Sequence, residues 1–297
     1  MEKYRILIVG LGSMGKRRLR CLKNLRLENI SGYDPRVDRT KEVFETYGIT
    51  VFNDFNEAVK CFNPDVLIVS TPPQHHMQYA YFAEENDLNC FIEASVVDSE
   101  KIFELSQKNQ KNILISPSCT KKFYPAPKII KKLIRDQSIG EVLNINYQRG
   151  QYLPDWHPWE GIEDFYVSNP DTGGAREIVA FELIWLNDIF GEPIPVTCVR
   201  RKVTDIPANI DDVYHFCLEY PQNILANISI EVVSRPVDSN YIRILGSEGI
   251  IIFDGQNNYV KYMNIQNNEW KKIYFDNELD QFNVSEQPYL DEIECYL

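Results

Sequence analysis

The chain reads as an α/β protein: a doubly wound parallel sheet comes first, followed by an α+β domain built on a mainly antiparallel, open sheet. Three observations predict this. A short apolar strand, Arg5 to Val9, runs straight into Gly10-Leu11-Gly12-Ser13-Met14-Gly15 and an amphipathic helical stretch that reaches Leu25. Short β-rich runs then alternate with helical ones over residues 1–120, whereas most of the chain beyond residue 190 has period two. At 297 residues there is room for two domains of ordinary size, and the change of pattern sets them at 1–120 and 121–297.

In the first domain a second strand covers Ile30 to Tyr33 and ends at Asp34, a helix fits Arg39 to Tyr47, a strand Thr50 to Phe52 and a helix Phe55 to Cys61. Val66-Leu67-Ile68-Val69-Ser70 is continuously apolar, as expected of a parallel strand covered on both faces, and Thr71-Pro72-Pro73 ends its ladder. A helix from His75 to Asn86, the strand Cys90 to Ile92, a helix Glu100 to Asn109 and the strand Ile113 to Ser116 complete six strands. In the second domain Lys128 to Arg135 is a basic amphipathic helix, Glu141 to Arg149 a long strand, and Gly173-Gly174 opens a helix running to Phe190. Seven further strands are expected: Val196 to Val203, Asp212 to Glu219, Ile224 to Val233, Tyr241 to Leu245, Ile250 to Phe253, Tyr259 to Met263 and Trp270 to Phe275. Such a sheet is open on one side unless helices or another subunit cover it; a second copy of the chain is the economical cover, so a homodimer or homotetramer is expected, although a monomer with one polar face would serve as well. Asn257-Asn258 and Asn264 to Asn268 read as turns.

The glycine turn carries the chemistry. Gly10 lets the chain turn off the strand, Gly12 brings backbone against a ligand and Gly15 lets the helix approach the sheet; Ser13 and Met14 begin the helix whose free N–H groups suit a pyrophosphate. Asp34, about 20 residues on, is placed to accept the ribose hydroxyls of NAD. Arg36 is placed to meet a 2′-phosphate instead, so NADP stays open.

Net charge of −12 without an acidic tail disfavours nucleic acid, and Lys16, Arg17, Arg18 and Arg20 are expected to support the cofactor phosphates or lie in solvent. Seven scattered cysteines, no signal peptide and no apolar run of bilayer length point to a reduced, cytoplasmic protein away from membranes. The four histidines, His75, His76, His157 and His215, have no metal-binding spacing, and no metal is expected. His215 fits a strand position, and Cys119 reads as a buried thiol. Tyr152 to Glu160 carries Asp155, Trp156, His157, Trp159 and Glu160, with Pro154 and Pro158 limiting the loop's freedom. Rings that stack on apolar sugar faces beside hydroxyl-binding groups fit this loop, and so do tryptophans that only anchor it.

Taken together, Gly10 to Gly15, Ser70 to His75, Phe91-Ile92-Glu93, Lys122 to Ala126 and Thr172-Gly173-Gly174 resemble the glucose–fructose oxidoreductase and inositol dehydrogenase family (Gfo/Idh/MocA). The resemblance spans nearly the whole chain. It implies a Rossmann domain holding NAD or NADP, and oxidation or reduction of a sugar, cyclitol or nucleotide-linked sugar. It also implies that Thr71, Pro72, His75 and Glu93 lie at the nicotinamide end; by its own place in the helix, His76 is expected on the helix exterior. The stretch Tyr147 to Glu160 resembles members encoded with surface-polysaccharide or nonulosonate pathways.

The chain departs from the family where catalysis is expected. The family's lysine after Glu93 is Ala94 here, and Ile178, Phe181 and Ile184 are placed at the acid and histidine positions of the helix after Gly174, so that the face reads as hydrocarbon. Replacement acid/base candidates are His157, Lys122 and Glu177, with Lys121, Trp156, Trp159 and Arg176 on the substrate side. Three uses stay open: a dehydrogenase with relocated acid/base groups, a sensor or partner subunit that binds NAD and a sugar without turnover, or redox chemistry that needs little base or recycles its cofactor in place. Family members continue past Ile293 with helices that pack on the first domain, so the C-terminus at Leu297 is expected to be short.

Overall fold

The computed structural model describes residues 4–94, 97–108, 112–156, 158, 161–164, 166–275 and 286–297. The chain forms two compact units, Met1–Thr120 with Glu286–Leu297, and Lys121–Ser285.

The first unit alternates β1 (Ile6–Val9), α1 (Ser13–Asn24), β2 (Ile30–Tyr33), α2 (Val37–Tyr47), β3 (Thr50–Phe52), α3 (Phe55–Phe62), β4 (Val66–Val69), α4 (His76–Glu85), β5 (Asn89–Ile92), α5 (Ser99–Lys108) and β6 (Ile115–Pro117). The strands are parallel in the order β3-β2-β1-β4-β5-β6. Period two explains why β1 and β4 are apolar throughout. Ile6, Ile8, Val66 and Ile68 pack with Leu19 and Leu22 of α1, while Leu7, Val9, Leu67 and Val69 pack with Ala58, Met77, Ala80 and Ala83 on the opposite face. The order reverses between β1 and β4, so the crevice beyond their carboxyl ends is where such a fold binds ligands.

The second unit contains α6 (Pro125–Arg135), β7 (Val142–Gly150), α7 (Ala175–Phe190), β8 (Ile194–Arg201), β9 (Val213–Tyr220), β10 (Ile224–Glu231), β11 (Ser239–Gly246), β12 (Gly249–Asp254), β13 (Tyr259–Asn264) and β14 (Lys271–Tyr274). They form a sheet in the order β14-β13-β12-β11-β7-β10-β9-β8, antiparallel except for β10 beside β7. One sheet face packs on α6 and α7 through Ile145, Phe216, Ile228, Ile242, Ile130, Leu133, Ile178 and Leu186. The other leaves Leu143 and Leu225 exposed, and every residue of the edge strand β8 is exposed.

Two sequence readings need correction. The segment after residue 285 belongs to the first unit, not to the domain assigned to 121–297: α8 (Gln287–Tyr296) packs on α1 and adds Ile293 to the core beneath it. A helix therefore does pack back on the first unit within the 297 residues. In the basic cluster, Arg18 is neither solvated nor phosphate-facing. Arg18 is fully buried, Arg20 pairs with Glu286 and Lys16 with Glu42. The cause is helical spacing: Arg18 shares with Leu19 and Leu22 the side of α1 that is buried, which the local run of cations conceals.

Candidate active site

At the switch point the chain leaves β1 through Gly10, whose φ of +91° favours glycine. A Cβ on Gly15 would stand 1.9 Å from the Gly10 carbonyl oxygen, so α1 starts hard against the strand end and its first N–H groups face the crevice. Beside Gly10, the buried Ser70 Oγ and Thr71 Oγ1 find no hydrogen-bond partner among the described residues. Bare amides and orphaned hydroxyls at one strand-end crevice fit the phosphates of a dinucleotide.

Asp34 closes one side. Its Oδ2 accepts the Leu11 N–H at 2.8 Å and its Oδ1 the Arg36 N–H at 2.9 Å, which ties the end of β2 to the glycine turn. Pro72 and His75 are exposed. His76 is the buried one, reversing the sequence expectation for the neighbouring histidines: it begins α4 turned inward, with Nε2 2.7 Å from the Thr71 carbonyl. Burial holds its pKa below the ordinary value despite that bond.

Glu93, at the end of β5, meets Arg18, whose Nε and Nη2 donate to it at 2.6 and 3.1 Å. A second carboxylate, Glu292 of α8, lies 2.9 Å from Arg18 Nη1 and accepts from Ser118, Thr120 and the Cys119 N–H. Burial pulls the pKa of the guanidinium down; Glu93 and then Glu292 override it and hold it above the usual value. Nothing in the sequence pattern pairs residues so far apart.

In the second unit, α7 turns Ile178, Glu182 and Trp185 inward, while Phe181 and Ile184 are only partly buried. The expected hydrocarbon face is thus corrected. The inward row follows spacings of four and three from Ile178, and it carries a carboxylate. Tyr147 Oη and Trp185 Nε1 each donate to Glu182 Oε2 at 2.6 Å, Lys121 Nζ lies 3.1 Å from Oε1, and Arg149 Nε 3.6 Å from it. Burial would push Glu182 up, but Lys121 and Arg149, with the two hydrogen bonds, outweigh it and hold its pKa below the ordinary range. Lys121, Glu182, Tyr147, Trp185 and Asn240 line a small cleft together with Tyr124 and Phe253. A single carboxylate inside the otherwise apolar stretch Ile178 to Leu186 was the available signal for Glu182.

The other candidates are scattered. Lys122 pairs with Asp188 at 2.8 Å instead of entering the cleft, and Arg176 is half-buried. Trp156 packs on the core of the unit with its indole N–H unpaired among the described residues. His157, Trp159 and Glu160 lie outside the described residues. His215 is an exposed residue of β9, and Cys119 is partly buried. Among the described residues no acidic, histidine or cysteine group could hold a metal ion, and no helix is long and apolar enough to cross a membrane.

Glu177, in the first turn of α7, is buried with only Tyr166 Oη donating to it, at 2.6 Å, and its Oε2 is unpaired among the described residues. Burial pushes its pKa up to about 7. A carboxyl whose pKa is higher folded than unfolded binds its proton more tightly in the fold, so stability is complete at acid pH and falls as pH rises from the unfolded value through about 7. Glu177→Gln is expected to gain up to about 3 kcal/mol over the parent above pH 8 and little near pH 4. Urea denaturation at both pH values checks this; an equal effect at both would contradict it.

Known proteins share this architecture. The family model described as "Oxidoreductase family, NAD-binding Rossmann fold" matches residues 4–115, and the "GFO/IDH/MocA C-terminal domain" matches 128–252. No curated protein sequence matches the chain. Among solved structures, an oxidoreductase from Agrobacterium radiobacter, in complex with NAD+, L-tartaric acid and magnesium, superposes with a TM-score of 0.82 at 13% identity, covering 97% of this chain and 86% of that one. The apo form of a levoglucosan dehydrogenase gives 0.80 at 16% identity, covering 100% and 88%. Myo-inositol 2-dehydrogenase from Lactobacillus plantarum gives 0.77 at 16% identity, covering 99% and 88%. At such identities the likeness to these structures is one of fold. The two family models, in order along the chain and each on one of its units, identify it as a member of the Gfo/Idh/MocA oxidoreductase family.

Proposed function

We propose that the chain is an NAD(P)-dependent oxidoreductase acting on a polyhydroxylated substrate, a sugar or nucleotide-linked sugar. The observation that carries this reading is the crevice at the ends of β1 and β4, where the glycine turn meets the unpaired hydroxyls of Ser70 and Thr71. Backbone N–H groups of Gly12, Ser13, Met14 and Gly15 would hold the pyrophosphate, Asp34 would border the adenosine ribose, and Thr71, Pro72, His75 and Glu93 would line the nicotinamide end. When bound, the nicotinamide supplies a hydride carrier. Solved structures of this fold described with NAD+, NADH, levoglucosan or L-sorbose support the cofactor and the substrate class.

On the substrate side, Lys121 and Glu182, which line the cleft of the second unit, are the residues we propose for hydroxyl recognition. The Lys121 ammonium, held by Glu182 and stacked 5.0 Å from the centre of the Tyr124 ring, donates to a substrate hydroxyl; Glu182 is its positioning residue. Lys122, His157 and Glu177 are the alternative acid/base groups. A screen of polyols, sugars and nucleotide sugars with NAD+ and NADP+, read at the absorbance of reduced nicotinamide, tests the reading. Turnover that falls in Lys121→Ala supports it, whereas cofactor binding without turnover of any compound favours a non-catalytic binding protein.

The exposed face around Leu143 and Leu225, and the uncovered edge strand β8, suit a homodimer or homotetramer assembled through the sheet. A monomeric mass by light scattering would contradict that assembly.

A further inference from the structure

The ribose end of the crevice holds two arginines with different commitments. Arg36 spends its guanidinium on Asp38, at 3.1 and 2.6 Å, on an exposed turn. Arg39, one turn into α2, reaches back instead. Its Nη1 lies 3.4 Å from Asp34 Oδ2, and the same nitrogen would be 3.5 Å from a Cβ on Gly12, with Cζ at 3.7 Å. Its guanidinium thus covers the open side of the glycine turn while remaining 37% exposed. Asp34 itself is 3% exposed, and both its oxygens already accept backbone N–H groups.

These commitments change what the carboxylate does. A free Asp at the end of β2 accepts ribose hydroxyls and repels a 2′-phosphate. Here the carboxylate is sequestered and its charge is offset by a neighbouring cation, while that cation offers unspent N–H donors toward solvent. Guanidinium N–H groups match phosphate oxygens in geometry as well as charge.

We propose that Arg39, and not Arg36, sets cofactor selectivity, and that through it the chain accepts the 2′-phosphorylated dinucleotide NADPH at least as readily as NADH. This rests on the dinucleotide reading above. Titration of the full chain with NADH and with NADPH, followed by nicotinamide fluorescence at low and high salt, tests it in the parent, Arg39→Gln and Arg36→Gln. Arg39→Gln is expected to weaken NADPH by about 10–100-fold while NADH changes by less than about 3-fold. Arg36→Gln is expected to move neither by more than about 3-fold, and the NADPH affinity of the parent to fall more steeply with salt. Selective loss of NADPH in Arg36→Gln, equal losses of both ligands in Arg39→Gln, or a parent that prefers NADH by more than about 3-fold overturns the assignment and leaves the dinucleotide site standing. Saturation with neither ligand overturns the dinucleotide reading and this proposal with it.

Discussion

Replacing Arg18 with methionine is expected to destabilise the first unit by about 3–5 kcal/mol. Arg18 is the cation between Glu93 and Glu292, and its side chain is fully buried beneath α8. Methionine keeps the volume but leaves two carboxylates in a site that excludes water, so most of the cost is uncompensated charge and not lost attraction. The guanidinium also stacks 4.6 Å from the centre of the Phe91 ring and 5.2 Å from that of Tyr289, contacts a thioether replaces only in part. Urea denaturation read by far-ultraviolet circular dichroism reports the loss. Adding Glu93→Leu and Glu292→Met is expected to recover part of it, because an apolar site no longer holds unpaired charge, although the Cys119 N–H then loses its acceptor. An unchanged midpoint in Arg18→Met would show that water reaches the cluster.

Gly15→Ala is expected to have the largest effect on ligand binding. Its new Cβ meets the Gly10 carbonyl oxygen at 1.9 Å and the carbonyl carbon at 2.9 Å, both backbone atoms that no side-chain rotation can move. Either α1 withdraws from the sheet or the turn distorts, at a cost of about 1–3 kcal/mol in stability. The proposed site sets the phosphates at this helix start, so a shift of about 1 Å is expected to weaken NADH on the order of 100-fold. Calorimetry on a variant shown to be folded by circular dichroism separates the two effects. Unaltered affinity would place the ligand elsewhere.

Local pattern encodes some of these features and conceals others. Continuous apolar runs at residues 6–9 and 66–69, and alternation in 142–150, are local consequences of two-sided and one-sided burial, so both sheets were legible in the sequence. The glycine turn was legible because its spacing is set by backbone geometry. Glu182 was missed because a spacing of three from Ile178 was followed where the inward row takes four and then three, and one helical position decides between Phe181 outside and a carboxylate inside. Arg18 was missed because its partners, Glu93 and Glu292, are brought to it only by the fold. The pairing of Asp34 with Arg39 combines a strand end with the next helix, and residue types alone favoured Arg36.

The proposed function depends on a dinucleotide resting on the amides at the start of α1. Isothermal titration of the parent chain with NADH and NADPH tests this most directly: saturable binding at one site per chain is the expected result, and no saturation with either would contradict it.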